Sequence, residues 1–367
     1  MQRPIRQSLL VFQCLLGCLL FVGLPLASCS NPTGGSGSTT TAPPVNSMTL
    51  KVALVTNGLP FFPFYVAMQQ GMFKQQGLTF DPATPTLTNS GAKLATAVES
   101  DSVEVGVGGL TDVFTISRVD AYIKIIGDIA DDFLIDIVVS KKFEQEAHLN
   151  MNSTLSEKVQ ALKGKKIGIS APGSATDALV TYLFRQEGLD SQKDAVKVNV
   201  GASMSPVIAA LQAGRIDAAA ITSPGGQLAE TKGIANLWLS PTRGDIPTMH
   251  QQLFSVAYVK QKVIDAKPKA IAAFIRGLAN AEDFMQKHPE QMEGLLAKYL
   301  SLDPKTATNA WAATKVSVPL NPLVSQQPYD TANQFHVKAG LIALPLDYKE
   351  LVATDTINKA LSSSSGS

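Results

Sequence analysis

The sequence predicts an α/β protein built from two similar lobes. From about residue 49 onward, short apolar runs alternate with stretches of helical periodicity, the pattern of strands and helices in a parallel sheet. Residues 98–107 match residues 211–220 in a helix end, a turn, an acidic residue and a small-residue strand, an offset of 113 residues. This repetition indicates that one βαβ plan occurs twice, although any α/β chain shows some self-similarity.

The elements follow in order along the chain. In the first half, a strand at 50–55 precedes a helix at 63–76 that Gly77 ends, and further strands follow at 103–107, 122–126 and 134–139. The second half contains strands at 166–169, 196–200 and 218–221 and helices at 175–186 and 206–213.

A third section begins with a strand at 254–259. It continues into a helix whose first turn holds Pro268 and whose buried stripe we expect at Ile271, Phe274, Ile275, Leu278 and Met285.

The amino terminus has the pattern of an export signal. Arg3 and Arg6 precede an uncharged apolar run at 9–26, which is typical of a secretory leader. Residues 26–29 resemble the lipobox of bacterial lipoproteins, which implies cleavage before Cys29 and lipid on that residue. An ordinary signal peptide or an uncleaved anchor is the alternative. We expect an exported protein, lipid-anchored to the outer face of the cytoplasmic membrane or periplasmic.

These observations predict a domain plan. The predicted parts are a signal peptide at 1–28, a Gly/Ser/Thr/Pro tether at 29–48, a globular body at 49–361 and a disordered tail at 362–367.

Composition argues against several classes of function. The chain has 31 Lys and Arg against 30 Asp and Glu, without a basic stripe, so we expect no nucleic-acid partner. All three cysteines, Cys14, Cys18 and Cys29, lie in the leader or at the cut, which leaves the mature chain no thiol nucleophile or cysteine metal site. The four histidines are scattered and show no HExxH spacing. We expect no catalytic residue, no metal and no cofactor.

Four segments carry a family resemblance. Residues 59–78 end in a GxFxxxGL turn from Gly71 to Leu78, and residues 162–169, 209–224 and 270–284 add a second-lobe opening, an ALxxGxxDA segment and a long helix. Together they resemble the nitrate/sulfonate/bicarbonate (taurine-type) substrate-binding proteins of ABC transporters. The resemblance implies a type II periplasmic-binding-protein fold with lobe one at 49–140 and 255–361, lobe two at 141–254, a ligand cleft between the lobes, and a membrane permease as partner. The scattered histidines and the lack of a cysteine in the mature chain argue against an enzyme. We expect a monomer.

The carboxyl ends of the predicted strands indicate where a ligand binds. In open α/β sheets, ligands sit beyond the carboxyl ends of the strands, and the loops there carry aromatic, small and hydroxyl residues. The candidate ligand-binding residues are Asn57, Pro60, Phe61, Phe62, Gly109, Thr111 and Asp131 in lobe one, and Gly173, Ser174, Ala175, Thr176, Thr222, Ser223 and Pro224 in lobe two.

Two groups of these residues have specific chemistry. Ser174, with Asp177 three residues later, resembles a capping box at a helix start, where free N–H groups suit an anion; pure capping is the alternative. Asp112, Asp131 and Asp132 sit at predicted strand ends and could hold an amine, although acids there more often cap helices or face solvent.

The sequence does not identify the ligand. The cleft loops hold no dominant basic cluster, which favours a solute with an organic body over a bare anion. The candidates are sulfonates, taurine, nitrate and bicarbonate; the alternatives are a vitamin precursor such as a pyrimidine or flavin, or a ligand-sensing lipoprotein of the same fold. Some proteins of this fold are enzymes that make a pyrimidine precursor through a histidine and a cysteine-rich motif, which the mature chain lacks.

Overall fold

A computed structural model describes residues 48–363 of the chain. Two five-stranded sheets organise this part. The first, which defines lobe one, has the strand order β4-β2-β5-β12-β6, and the second, which defines lobe two, has the order β11-β7-β10-β8-β9. A short parallel pair, β1-β3, lies beside them.

The strands of the described chain are β1 Met48–Leu50, β2 Val52–Leu54, β3 Leu78–Phe80, β4 Thr86–Leu87, β5 Val105–Gly109, β6 Ile123–Ala130, β7 Ile135–Ser140, β8 Lys166–Ile169, β9 Val196–Asn199, β10 Ala218–Thr222, β11 Ala235–Leu239 and β12 Ser255–Lys260. The helices are α1 Phe62–Gln69, α2 Met72–Gln75, α3 Gly91–Glu99, α4 Leu110–Ile116, α5 Lys141–Ala147, α6 Leu155–Ala161, α7 Ala175–Gln186, α8 Met204–Gln212, α9 Gly225–Thr231, α10 Gln261–Ala266, α11 Pro268–Lys287, α12 Pro289–Leu300, α13 Pro304–Thr314, α14 Gln326–Ala339, α15 Tyr348–Leu351 and α16 Thr354–Ser362.

The two sheets share one topology. In lobe one the parallel strands lie in the order β4-β2-β5, and in lobe two the order is β9-β8-β10. In each sheet an antiparallel strand follows, β12 in lobe one and β7 in lobe two, and a fifth strand closes the edge. Strand β10 begins 113 residues after β5, so the matched strand order agrees with the repetition in the sequence.

The boundary between the lobes differs from the prediction. Residues up to 140 are predicted to belong to lobe one, but β7 pairs with β10 and β11 of lobe two, with Ala218 opposite Val139 and Ala235 opposite Ser140. The chain therefore crosses between the sheets before Ile135 and returns before Ser255. The apolar pattern of β7 predicts a strand but does not say which sheet pairs with it.

The predicted helix at 63–76 is two helices. Gly71 has a φ of 69° and separates α1 from α2, because this left-handed conformation ends one helical run. The other predicted helices of the repeat agree closely: α7 has the predicted bounds, and α8 begins two residues earlier than expected.

The carboxy-terminal helices contact both lobes. Helix α11 packs its apolar stripe on lobe one, with Ile271, Phe274 and Leu278 fully buried. Helix α14 instead contacts α7 of lobe two, where the Tyr182 and Phe335 rings lie 5.1 Å apart. Among the helices of residues 48–363, none combines the length and apolarity needed to cross a bilayer.

Candidate functional site

A small cavity lies between the sheets, at the carboxyl ends of β2, β5, β8 and β10. Its volume is about 50 Å³, far below the roughly 300–1,000 Å³ of pockets for drug-sized ligands. Direct contacts beside it, such as the hydrogen bond from the Leu59 N–H to the Ser223 carbonyl, bring the two lobes together in a closed arrangement. The residues that line it are Val55, Thr56, Pro60, Phe61, Gly91, Gly109, Asp112 and Phe254 from the lobe-one side, and Ile135, Ser170, Ser174, Ala175, Thr176, Ala202 and Thr222 from the lobe-two side.

The apolar wall comes from lobe one. Pro60 and Phe61 stand in a 3-10 turn, Leu59–Phe61, that follows β2, and Phe254 precedes β12. All three side chains are buried. The Phe254 ring packs against Phe133, with centroids 4.7 Å apart, so this wall rests on the core.

The wall from lobe two is made of hydroxyl groups. Ser174 caps α7, because its Oγ accepts the Asp177 N–H at 3.3 Å. Its Oγ also lies 2.8 Å from Thr176 Oγ1, which lies 2.9 Å from Ser170 Oγ. Ala175 and Thr176 open the 12-residue helix α7, whose first N–H groups have no partner within the helix. Because the Ser174 hydroxyl donates to the Ala171 carbonyl at 2.6 Å, the donors that this wall can offer to an acceptor group of a ligand are chiefly the first N–H groups of α7.

The Asp177 side chain does not complete the predicted capping box with the Ser174 backbone. The Asp177 carboxylate accepts the N–H of Gly173 at 2.8 Å rather than that of Ser174, and its second oxygen pairs with Lys197 Nζ at 2.7 Å. The Gly173 N–H is thus already bonded, and this residue does not line the cavity.

The one charged side chain at the cavity is Asp112. It stands in α4, its exposed fraction is 8 %, and its Oδ2 accepts the Gly109 N–H at 3.0 Å. Burial raises the pKa of the Asp112 carboxyl to about 7, and the Gly109 N–H opposes this shift. The cavity lining contains no Lys, Arg or His within the described chain, so its charge comes from this carboxyl.

Backbone contacts join the lobes beside the cavity. The Leu59 N–H donates to the Ser223 carbonyl at 3.0 Å, which ties the turn after β2 to the end of β10. A Cβ on the neighbouring Gly58 would lie 3.4 Å from the Thr222 methyl group. The two loops therefore meet closely in the closed arrangement.

Seven of the predicted site residues lie together at the cavity: Pro60, Phe61, Gly109, Ser174, Ala175, Thr176 and Thr222. The strand-end rule thus selected loops that do converge. Whether these residues bind a ligand is a proposal, developed below.

Other predicted residues lie away from the cavity and have structural partners. Phe62 is fully buried and stacks near Tyr299, with centroids 6.1 Å apart. Thr111 contacts the Nε2 of the buried His336 at 2.8 Å. Ser223 donates to Asp136 Oδ2 at 2.8 Å. Pro224 precedes α9 and is buried.

Asn57 and Asp131 line separate surface depressions. Asn57 borders one that also includes Tyr65 and Tyr299. Asp131 borders two others, one of them next to His250. Cys29, the predicted lipidation site, lies outside the described residues. No group of three or more His, Cys, Asp or Glu within residues 48–363 has the geometry to hold a metal ion.

Several residues that line the cavity are not among those predicted from the sequence. Gly91 follows β4 and Ala202 follows β9, so both sit after the second strand of their repeat. The same strand-end rule, applied to that strand in each lobe, would have found them. Ile135 and Phe254 stand where the chain enters a sheet from the other lobe, and only the pairing of β7 and β12 places them at the cavity.

The topology and the interlobe cavity are those of the periplasmic-binding-protein fold. The structure of the aliphatic sulphonate binding protein SsuA from Escherichia coli matches with a TM-score of 0.62 and 17% identity over 85% of this chain and 100% of that chain. The nitrate-binding protein NrtA from Synechocystis PCC 6803 matches with a TM-score of 0.64 and 12% identity over 86% and 89%. These matches confirm the predicted fold class. A desulfurization enzyme, DSZB, also shares the fold, with a TM-score of 0.60 and 13% identity over 86% and 99%.

The chain belongs to the NMT1/THI5-like family, whose model matches residues 60–292. A curated relative from Haemophilus influenzae, named as a putative thiamine biosynthesis protein, is 29% identical over 293 residues, 78% of this chain and 85% of the relative. The putative binding protein YtlA of Bacillus subtilis is 21% identical over 319 residues, 85% and 90% of the two chains.

Proposed function

We propose that this protein is an extracytoplasmic solute-binding protein of an ABC importer. It closes two lobes around a small organic solute and presents the closed form to a membrane permease. One observation carries the proposal: residues from both lobes line a single cavity, and the Leu59–Ser223 hydrogen bond joins the lobes beside it. A ligand held there contacts both lobes only when they are closed, so binding favours closure.

The relatives support a binding role. A Bacillus subtilis relative is named a putative binding protein, and sulphonate- and nitrate-binding proteins share the fold. The cavity volume of about 50 Å³ favours a small solute over a flavin. Sulfonates, taurine, nitrate, bicarbonate and a pyrimidine all belong in the test, the last because the Haemophilus influenzae relative is named for thiamine biosynthesis.

Attachment to the membrane is the second part of the proposal. Lipid on Cys29 holds the mature chain at the outer face of the cytoplasmic membrane, and residues 29–48 act as a tether. In cells fed a labelled fatty acid, the wild-type chain should carry label and sediment with membranes, whereas Cys29→Ala should do neither. Label on the variant would contradict this anchoring.

Binding is tested on protein that has been unfolded and refolded to remove any bound solute. Thermal unfolding is then followed with each candidate solute. A solute at 100 times its Kd adds about 2.7 kcal/mol to the free energy of unfolding, which raises Tm by several degrees. Catalytic turnover of a solute, or an absence of any shift with every candidate, would contradict the proposal.

A further inference from the structure

We infer that Asp112 recognises an N–H donor of the ligand, so that the cavity takes a small solute with an amine or amino-heterocycle nitrogen rather than a bare anion. This inference rests on the proposed function and adds the substrate class. It is carried by the position of Asp112 in the cavity wall, by the groups that surround its carboxylate and by the chemistry of the opposite wall.

The Asp112 carboxylate is incompletely paired. Within residues 48–363 its one hydrogen bond is that from the Gly109 N–H to Oδ2, which leaves Oδ1 without a partner. Burial raises the pKa of this carboxyl, the Gly109 N–H opposes that shift, and no neighbouring cation contributes. A carboxylate buried without a cation or a full set of donors is costly. A ligand nitrogen that donates to Oδ1 would remove this cost when it binds.

The surroundings are shaped to hold this carboxylate in place. A Cβ on Gly91 would lie 2.0 Å from Asp112 Oδ1, and one on Gly108 would lie 2.6 Å from Oδ2. Any side chain at either position would displace the carboxyl group. Burial raises the pKa of the Tyr258 hydroxyl, and the nearby Asp112 carboxylate adds to that shift. The room for the carboxylate is therefore provided by two separate elements, the start of α3 and the end of β5.

The opposite wall suits the other end of such a solute. Ser170, Ser174 and Thr176 supply hydroxyl groups, and α7 begins there with its positive dipole end. This wall stabilises an acceptor such as a sulfonate oxygen or a ring nitrogen. A bare anion would meet the same wall, but above the Asp112 pKa of about 7, for example at pH 8, the carboxylate across the cavity would repel it, and no basic side chain in the lining would offset that repulsion.

The test uses matched ligands that differ at one nitrogen. Taurine is compared with 2-hydroxyethanesulfonate, and 4-amino-2-methylpyrimidine with 2-methylpyrimidine, together with nitrate and bicarbonate. The refolded full chain is titrated in a calorimeter. At least one amine should bind ten times or more tighter than its partner without the amine, because a hydrogen bond to a buried charged group contributes about 1.5–3 kcal/mol.

The variant Asp112→Asn completes the test. It should reduce the affinity of the amine ten times or more and leave the affinity of its matched partner unchanged within twofold. Asp128→Asn is the control. Asp128 is also fully buried with a raised pKa, but it does not line the cavity. The Asp128→Asn variant should therefore bind the amine with wild-type affinity.

The outcomes separate this inference from the proposed function. If 2-hydroxyethanesulfonate, nitrate or bicarbonate binds as tightly as any amine, or if Asp112→Asn binds the amine normally, Asp112 does not select the ligand, while the binding role stands. If no compound binds and the freshly purified chain releases no solute on denaturation, both conclusions are overturned. A released solute without any N–H donor would overturn the inference alone.

Discussion

The hydroxyl of Ser203 in lobe two donates a hydrogen bond to Asn89 Oδ1 in lobe one, at 3.1 Å. Ser203 stands at the amino-terminal cap position of α8, yet its side chain makes no capping bond there. Asn89 adopts a φ of 53° and is held by its own N–H, which donates to the Val55 carbonyl at 2.7 Å. The serine is thus available to the other lobe, beside the cavity residues Gly91 and Ala202.

This contact predicts a closure-dependent effect on affinity. Because the bond forms only when the lobes meet, Ser203→Ala and Asn89→Ala should each weaken ligand binding about two- to tenfold, the equivalent of a net hydrogen bond of about 0.5–1.5 kcal/mol. The double variant should bind the ligand as tightly as the more weakly binding of the two single variants. Calorimetric titration of the four proteins measures this coupling. Ser205→Ala, exposed on the same helix, is the control, and fully additive effects would contradict the contact.

Substitution of two neighbouring phenylalanines should affect different properties, ligand affinity for Phe61 and stability for Phe62. Phe61 lines the cavity, whereas Phe62, the first residue of α1, is fully buried against the Tyr299 and Trp311 rings. Phe62→Ala should lower the free energy of unfolding by about 3–5 kcal/mol, as measured by urea unfolding of the ligand-free protein. Phe61→Leu should leave most of the stability and lower affinity several-fold. A larger affinity loss from a folded Phe62→Leu variant would contradict this division.

Ser174 caps α7 and is also proposed to contact the ligand. Comparison with a serine that caps a helix away from the cavity separates these two roles. Ser174→Ala should cost about 1 kcal/mol of stability through loss of the α7 cap and should also weaken ligand binding about tenfold. Ser90 caps α3 through the Lys93 N–H at 3.4 Å and does not line the cavity. Ser90→Ala should therefore lower the free energy of unfolding with little change in affinity. Equal affinities in the two variants would restrict Ser174 to capping.

The raised pKa of Asp112 predicts how stability depends on pH. In the folded chain this carboxyl keeps its proton up to a pKa of about 7, whereas in the unfolded chain it titrates near 4. The folded state therefore binds more protons between these values, and this carboxyl lowers stability as pH rises from about 4 to 7.

Asp112→Asn removes that loss. The ligand-free variant should match the wild type at pH 4 and exceed its free energy of unfolding by about 1–3 kcal/mol at pH 8. Urea unfolding at the two pH values measures the difference. Glu146→Gln is the control, because Glu146 is exposed in a weak surface pair with Lys142. A variant advantage that is the same at both pH values would contradict the burial of an ionisable group.

Predictions that depend on residues close together in the chain were accurate, whereas predictions that depend on contacts between distant residues were not. The bounds of α7 and the cap by Ser174 depend on residues within one turn of each other, and both were predicted. Thr111 was predicted in the cleft, but it pairs with His336, a residue 225 positions away. Phe62 follows a cavity residue directly, yet the turn after β2 directs it into the core. Local pattern gives the residue type and the approximate position, and the packing of distant segments decides where the side chain goes.

The sequence by itself determined the α/β class, the duplication, the strand ends that form the cavity edge and seven of the lining residues, because these depend on periodicity and on a general rule of sheet geometry. The family resemblance already implied that the chain returns to lobe one at residue 255, where β12 pairs with β5. Only the tertiary structure decided that β7 pairs with β10 and β11 of lobe two. Only the same pairing brings Asp112, Ser174 and Phe254 to one cavity. Side-chain periodicity encodes which face of a strand is apolar, but it contains no information about which distant strand completes the sheet.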